Sequence, residues 1–298
     1  MTDAVALSNA LAAAVEAAAP SVVRIAIEDG HGATGLAWDK DIVVAAADAV
    51  EEDGELRVVD ADGRETAATV AGTDAGTGLV VLRAPGLGRP KLGTADDAGL
   101  KVGHIVLAIA RPGKSARATL GIITTLGDSW RTRGGTRIDR YIDTSLVLPW
   151  EFGGGVVVDA AGRLVGIGVP GGKRHRGVIV PPATVARAVA SVLAGKSEQR
   201  GYLGIATQPV RVPTAIKDLA RQERGLMVVE VEDDSPAASA GVTLGDVVLG
   251  LNGNPTERIA DLFGALADAG AGTATKLRVL RGGGVQEIGV TIGARPAG

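Results

Sequence analysis

Between residues 22 and about 180 the chain breaks into short β-prone runs, at 22–27, 42–46, 56–59, 66–70, 79–83, 104–109, 121–125, 156–158 and 164–169. Gly, Asp and Pro cluster between them. Many short strands with close turn signals argue for an all-β barrel or sandwich and against βαβ units, whose crossovers need a dozen residues or more. The turns account for much of the glycine, which at 44 of 298 residues is about twice its ordinary share.

The pattern changes at both ends of this region. Residues 4–18 are Ala-rich with scattered polar positions and predict a short helix that stops before Pro20. Residues 182–194 restore a helical period, with Val185, Val189 and Val192 or Leu193 on one face. The polar stretch 196–200 is the candidate linker. Beyond it, strands are predicted at 203–207, 226–231, 246–251, 276–279 and 288–292, with helices at 236–240 and 259–269. A length of 298 residues fits two domains of roughly 150. The boundaries are drawn as 1–195, linker 196–200 and 201–298.

The second part resembles a PDZ domain of the bacterial HtrA/Deg type. The matching run is GLMVVEVEDDSPAASAGVTLGDVVLGLNGNPTERIADLFGAL, residues 225–266. Within it Ser235-Pro236-Ala237-Ala238 starts a short helix, and Asn252-Gly253 is the pair a tight hairpin turn favours. Tyr202-Leu203-Gly204-Ile205 looks like the carboxylate-binding loop of that family. Successive backbone N–H groups around Gly204 can face a peptide's terminal carboxylate, and a glycine lets the ligand come close. The resemblance implies that the strand 205–208 takes the peptide as an added strand, with Leu262 and Leu266 of the flanking helix lining an apolar pocket.

The first part resembles the trypsin-like protease domain of the same family. The likeness runs through APSVVRI, TGLAWDKDIVVAAADAV, GTDAGTGLVVLR, KLGTADDAGLKVGHIVLAIARPG, TLGIITTLG, GGGVVVDAAGRLVGIGVPG and GVIVPPATVARAV. It implies a mainly β fold: a double six-stranded β-barrel followed by the α/β PDZ unit. Proteases of this fold need a nucleophilic Ser, a His base and an Asp that orients the His. Aligned to the family pattern, the His position holds Asp48, or Ala47 if the register slips by one, in VVAAADAV. The Asp position holds Gly78, in DAGTGLVVLR. The Ser position holds Gly153, in EFGGGVVVD. A carboxylate is a poor base toward a serine hydroxyl, and glycine has no side chain to attack with. The three histidines of the whole chain, His31, His104 and His175, lie elsewhere: in a loop, inside a strand and in a basic loop. Ser145 sits eight residues before Gly153, where a hydroxyl would serve the backbone. Trp150 and Phe152, inside the former active-site loop, are read as filling the vacated space or plugging the cleft.

The expected protein is therefore a catalytically inactive HtrA/Deg-like chain, a pseudoprotease. It would bind peptide C-termini or unfolded segments as a scaffold, adaptor or chaperone-like factor in protein quality control. The alternative is an active serine-type endopeptidase with a non-standard site. Partners from the resemblance are peptide or protein C-termini, unfolded proteins, an active protease, or two further copies in a homotrimer. The trimer is weakened by the lack of any aromatic residue before Trp38.

Charge and composition narrow the rest. With 31 basic against 34 acidic residues there is no excess to draw nucleic acid. The absence of Cys removes disulfides and thiolate chemistry. No metal-ligand cluster or cofactor motif is legible. The Gly-rich runs lack the Lys-Ser/Thr or strand–helix setting of phosphate loops and read as turns. The run Gly172-Lys173-Arg174-His175-Arg176, with Arg131 and Arg133, forms a candidate basic patch for an acidic partner. The N-terminal stretch, broken by Asp3 and Glu16, lacks a basic n-region. No membrane span and a cytoplasmic location are expected.

Overall fold

The computed structural model describes residues 2–26, 32–50, 56–132, 135–148, 152–170, 178–195 and 201–294. The chain divides into two compact units, Met1–Trp130 with Ile138–Ser197, and Arg131–Arg137 with Glu198–Gly298.

The first unit opens with helix α1 (Thr2–Ala18). Six antiparallel strands then close a barrel in the order β1-β2-β3-β6-β5-β4. They are β1 (Val22–Ala26), β2 (Ala33–Asp39), β3 (Ile42–Ala46), β4 (Leu56–Val59), β5 (Glu65–Asp74) and β6 (Leu79–Arg83). A second group follows: β7 (Ile105–Ala110), β8 (Arg117–Gly127), the short ribbon β9 (Trp130–Arg131) and β10 (Arg137–Ile138), β11 (Tyr141–Thr144), β12 (Val156–Asp159), β13 (Leu164–Val169) and β14 (Val178–Val180). Its six-stranded sheet runs β11-β8-β7-β12-β13-β14. Helix α2 (Pro182–Leu193) completes the unit.

Several of these strands are apolar without alternation, and the packing says why. Successive side chains of a strand point to opposite faces. On β3, Val43 and Ala45 enter the interior of the first barrel, while Val44 joins a cluster shared with the second sheet and α2. On β6 the same split places Val80 and Leu82 inside and Leu79 and Val81 outside. On β12, Val156 and Val158 face the shared cluster and Val157 the interior of the second sheet. Both faces are buried, so both must be apolar.

Two expectations change here. His104 is not inside a strand. It lies exposed just before β7, where its Nδ1 accepts from the Lys101 N–H at 3.4 Å. The second concerns the membrane: the stretch Asp3–Ser21 is long and apolar enough to cross one, by length and composition. Its only charges are Asp3 and Glu16, too few to fail such a test. In its C-terminal half Ala14 and Ala18 are buried in the shared cluster, while most of the helix is exposed.

In the second unit β15 (Gly201–Tyr202) pairs with β22 (Gly293–Ala294). The main sheet runs β16-β17-β18-β20-β21, with β19 (Asn254–Pro255) beside β18. These strands are β16 (Ile205–Arg211), β17 (Arg224–Val231), β18 (Val247–Leu251), β20 (Ala274–Arg281) and β21 (Gly284–Thr291). Helices α3 (Lys217–Ala220), α4 (Pro236–Ser239) and α5 (Ile259–Ala269) interleave. Leu262, Ala265 and Leu266, at i, i+3 and i+4 on α5, are buried with Leu226, Val228, Val248 and Leu277 of the sheet.

Candidate functional site

The three positions that would carry a catalytic triad are drawn together in the first unit. Asp48 is the exposed middle residue of a single 3-10 turn, Ala47–Ala49, at the end of β3, whose two alanines pack against the barrel core. The N–H of Ala47 donates to the carbonyl of Gly78 at 2.8 Å. Gly78 itself ends a turn organised by Asp74, whose Oδ1 accepts from Gly76 and Thr77 N–H at 2.9 and 3.0 Å. Gly153 is buried beside Gly154. A Cβ on Gly154 would stand 2.3 Å from the Thr34 carbonyl oxygen and 2.8 Å from the Ala46 nitrogen. The glycine turn is therefore packed directly on β2 and β3, two residues from Asp48.

Gly78 sits at φ +71°, and a Cβ there would lie 3.1 Å from Cγ1 of Val169. An L-residue is strained at that backbone angle whatever its side chain. Phe152, expected to fill the vacated space or plug the cleft, is 7% exposed and belongs to the buried apolar cluster that includes Val106, Ala108, Val157 and Val165. Burying an aromatic ring in the apolar interior of the second sheet outweighs leaving it in a wet cleft. Ser145 Oγ accepts from the Ile122 N–H at 2.9 Å, a backbone contact as expected. His31, His175, Trp150, Glu151, Arg133, the basic run 172–176 and the linker 196–200 lie outside the described residues.

The second unit gathers all six positions named for peptide binding. Tyr202, Leu203, Gly204, Ile205, Leu262 and Leu266 line one cavity of about 270 Å³, with Thr207, Glu232, Ile259 and Phe263. Gly204 is at φ +74°, and a Cβ on it would come within 2.2 Å of Ser235 Cβ. Ser235 cannot withdraw easily, because its Oγ caps α4 by accepting from Ala238 N–H at 3.1 Å.

The loop's backbone direction follows from its carbonyls. The Leu203 carbonyl accepts from Ala237 N–H at 2.9 Å and the Gly204 carbonyl from Glu232 N–H at 2.8 Å. All peptide bonds are trans among the described residues, so each following N–H points opposite its carbonyl. The N–H groups of Gly204 and Ile205 are thereby turned away from α4, on the loop that lines the cavity. Leu203 acts through this backbone; its side chain is 2% exposed and belongs to the core. Beyond the loop, β16 is the end strand of its sheet among the described residues, with β17 on its other side, leaving an edge able to accept a strand. Phe263 is 42% exposed and Ile259 38%, an unusual exposure for large apolar side chains on a helix that otherwise buries its stripe.

Sequence reasoning missed Glu232. It is thirty residues from Tyr202, yet its carboxylate accepts from the Tyr202 hydroxyl. Only the pairing of Ile205 with Val231 brings it there.

Comparisons with known proteins agree with this architecture. The model of the trypsin-like peptidase domain matches residues 33–167 and that of the PDZ domain residues 201–292. A probable periplasmic serine endoprotease, DegP-like, of Brucella suis biovar 1 (strain 1330) is 31% identical over 275 residues, covering 88% of this chain and 52% of that protein. The periplasmic pH-dependent serine endoprotease DegQ of Escherichia coli (strain K12) is 32% identical over 238 residues, covering 78% and 52%. The chain thus spans about half the length of these curated relatives. The solved structure of the HtrA-type protease AlgW with tripeptide has a TM-score of 0.76 at 26% identity, covering 97% of this chain and 98% of that one. The serine endoprotease from Yersinia pestis, at 24% identity and TM-score 0.78 over 96% and 98% of the two chains, shares the fold.

The expectation of a cytoplasmic protein is overturned, since the curated relatives are periplasmic endoproteases, which points to the periplasm. A Cys-free chain is compatible with that oxidising compartment. Trypsin-like peptidase domain, PDZ domain and relatives together place the chain in the HtrA/DegP family.

Proposed function

We propose that this chain is a catalytically inactive member of its family that binds peptide C-termini in the second unit. The observation that carries the reading is the 270 Å³ cavity, where an apolar pocket, a backbone N–H pair and an open strand edge converge. The site is assigned to Tyr202, Leu203, Gly204 and Ile205 for the carboxylate and first backbone contacts, and to Leu262 and Leu266 for the apolar side chain. No catalytic residue is assigned: Asp48, Gly78 and Gly153 stand where a base, its orienting carboxylate and a nucleophile would be needed. The domain limits that go with this reading are 1–195 and 201–298, joined by 196–200.

A binder of exposed C-termini would serve as a scaffold, adaptor or chaperone-like factor. It could act on unfolded chains, beside an active protease, or as a homotrimer. The test is a fluorescent peptide ending in an apolar residue, measured by anisotropy alongside casein turnover and fluorophosphonate labelling. The free carboxylate form binds, its amide binds at least tenfold more weakly, and Gly204→Val abolishes binding through the contact with Ser235. Neither turnover nor labelling occurs. Casein cleavage that survives repurification would establish the alternative, an endopeptidase with a non-standard site.

A further inference from the structure

Among the described residues, Glu232 is the one charged side chain that lines the peptide cavity. It is fixed there at both ends. Its N–H donates to the Gly204 carbonyl at 2.8 Å, so its backbone is tied to the carboxylate loop itself. Its carboxylate accepts from the Tyr202 hydroxyl. Neighbouring Glu230, Asp233 and Asp234 are exposed and add to the same sign. Among the described residues no cation is paired with Glu232.

This arrangement is costly for a bare C-terminus. A ligand carboxylate held by the Gly204 and Ile205 N–H groups would meet a second carboxylate at the mouth of the same cavity, and like charges repel. A ligand that brings its own cation removes the conflict. A carboxylate that accepts one hydroxyl still has lone pairs on both oxygens for an ammonium or guanidinium. The place of that cation follows from strand geometry. A peptide running antiparallel along β16 ends beside Ile205, and Ile205 pairs with Val231, the residue before Glu232. If the terminal side chain enters the Leu262–Leu266 pocket, the next one points to the other face of the added strand, over the β16–β17 side.

We propose that the groove selects peptides with a lysine or arginine immediately before an apolar C-terminal residue, and that Glu232, held by Tyr202, is the residue that reads it. This rests on the peptide-binding reading above.

The test uses the full chain and three fluorescein-labelled peptides that differ only in the penultimate residue: Lys, Gln or Glu. The Lys peptide is expected to bind about fivefold more tightly than the Gln peptide, the upper range for one exposed ion pair, and the Glu peptide more weakly than either. In Glu232→Gln the Lys-to-Gln ratio falls to near one, and the Gln peptide binds more tightly than it does to the unaltered protein because the opposing carboxylate is gone. Raising salt to about 0.5 M shrinks the ratio in the unaltered protein. A Lys preference absent from the unaltered protein, or undiminished in Glu232→Gln, overturns the proposal. So does an equal gain from moving the lysine one residue upstream. If none of the three peptides binds, the peptide-binding reading falls, and this one with it.

Discussion

At the scale of single residues, the proposed inactivity makes a prediction for Asp48, Gly78 and Gly153, the three positions read as the triad. Asp48 is exposed and could receive a new side chain, while Gly153 is buried. Gly78 is different. Its φ of +71° belongs to glycine, and any Cβ there meets Val169 at 3.1 Å. Its carbonyl also holds the turn that carries Asp48, through the Ala47 N–H. Placing aspartate at 78 therefore asks the backbone to leave the conformation that positions residue 48. The triple variant Asp48→His, Gly78→Asp, Gly153→Ser is expected to show no casein turnover above the single variants, and to unfold at a lower temperature than the parent chain. Both are measured on the same preparation by a fluorescent casein assay and a thermal melt. Turnover within tenfold of an active relative would show that the family geometry persists and that the inactive reading rests on side chains alone.

At the scale of elements, β16 limits how much of a ligand can be read. Its open edge contains Pro209, which pairs with Leu226 of β17. Proline is tolerated in an edge strand because its missing N–H faces away from the ladder. That same gap denies a hydrogen bond to a strand added on the outside. The added ladder is confined to 205–208, enough for three or four ligand residues. A tripeptide and a decapeptide with the same C-terminus should therefore differ in affinity by less than about threefold, where each further ladder bond would otherwise contribute up to ~1 kcal/mol. Titration by calorimetry checks this, and Pro209→Ala is expected to widen the difference.

Elements also show what could be read in advance. Helix α5 was legible over its whole length, because Leu262, Ala265 and Leu266 repeat with the helical period. Strand β2 was not among the β-prone runs and was expected only from the resemblance, through TGLAWDKDIVVAAADAV. Its sequence ATGLAWD holds one β-branched residue, and it is a strand because β1 and β3 pair with both its edges. Gly35 in its middle is required by that packing, since a Cβ would strike Val43 Cγ1 at 2.6 Å. The residues read as triad positions were proposed from local frames of sequence alone. Glu232 was invisible because the pairing that delivers it is non-local.

At the scale of the whole molecule, each unit is held by a buried carboxylate whose titration links stability to pH. In the first unit the Asp60 side chain is fully buried. Burial alone pushes its carboxyl up, but the Arg64 N–H, the Arg89 guanidinium and the Asp62 N–H together hold it below the usual carboxylate range. The Arg89 Nε contributes at 3.0 Å. In the second unit Asp246 is 1% exposed and receives Arg281 Nε and Nη2 at 2.7 and 2.6 Å. Burial opposes ionisation there too, and the Arg281 fork and the Thr243 N–H outweigh it. Asp261 at the start of α5 is lowered in the same sense, by Arg258 against its burial. A folded-state pKa below the unfolded value of about 3.9 means that the unfolded chain binds protons first as pH falls. The stabilisation is therefore fully present above about pH 4 to 5 and is lost as pH drops through the folded values. Scanning calorimetry from pH 7 to pH 3 should show a melting temperature flat at first and then falling by roughly 5 °C or more. Asp246→Asn breaks the Arg281 fork and lowers stability at neutral pH, because the guanidinium keeps its charge and loses its partner. The same variant flattens the acid-side decline of the second unit, since the group that titrates is gone. A decline that is equally steep in Asp246→Asn and in the parent chain would assign the acid sensitivity to other carboxylates.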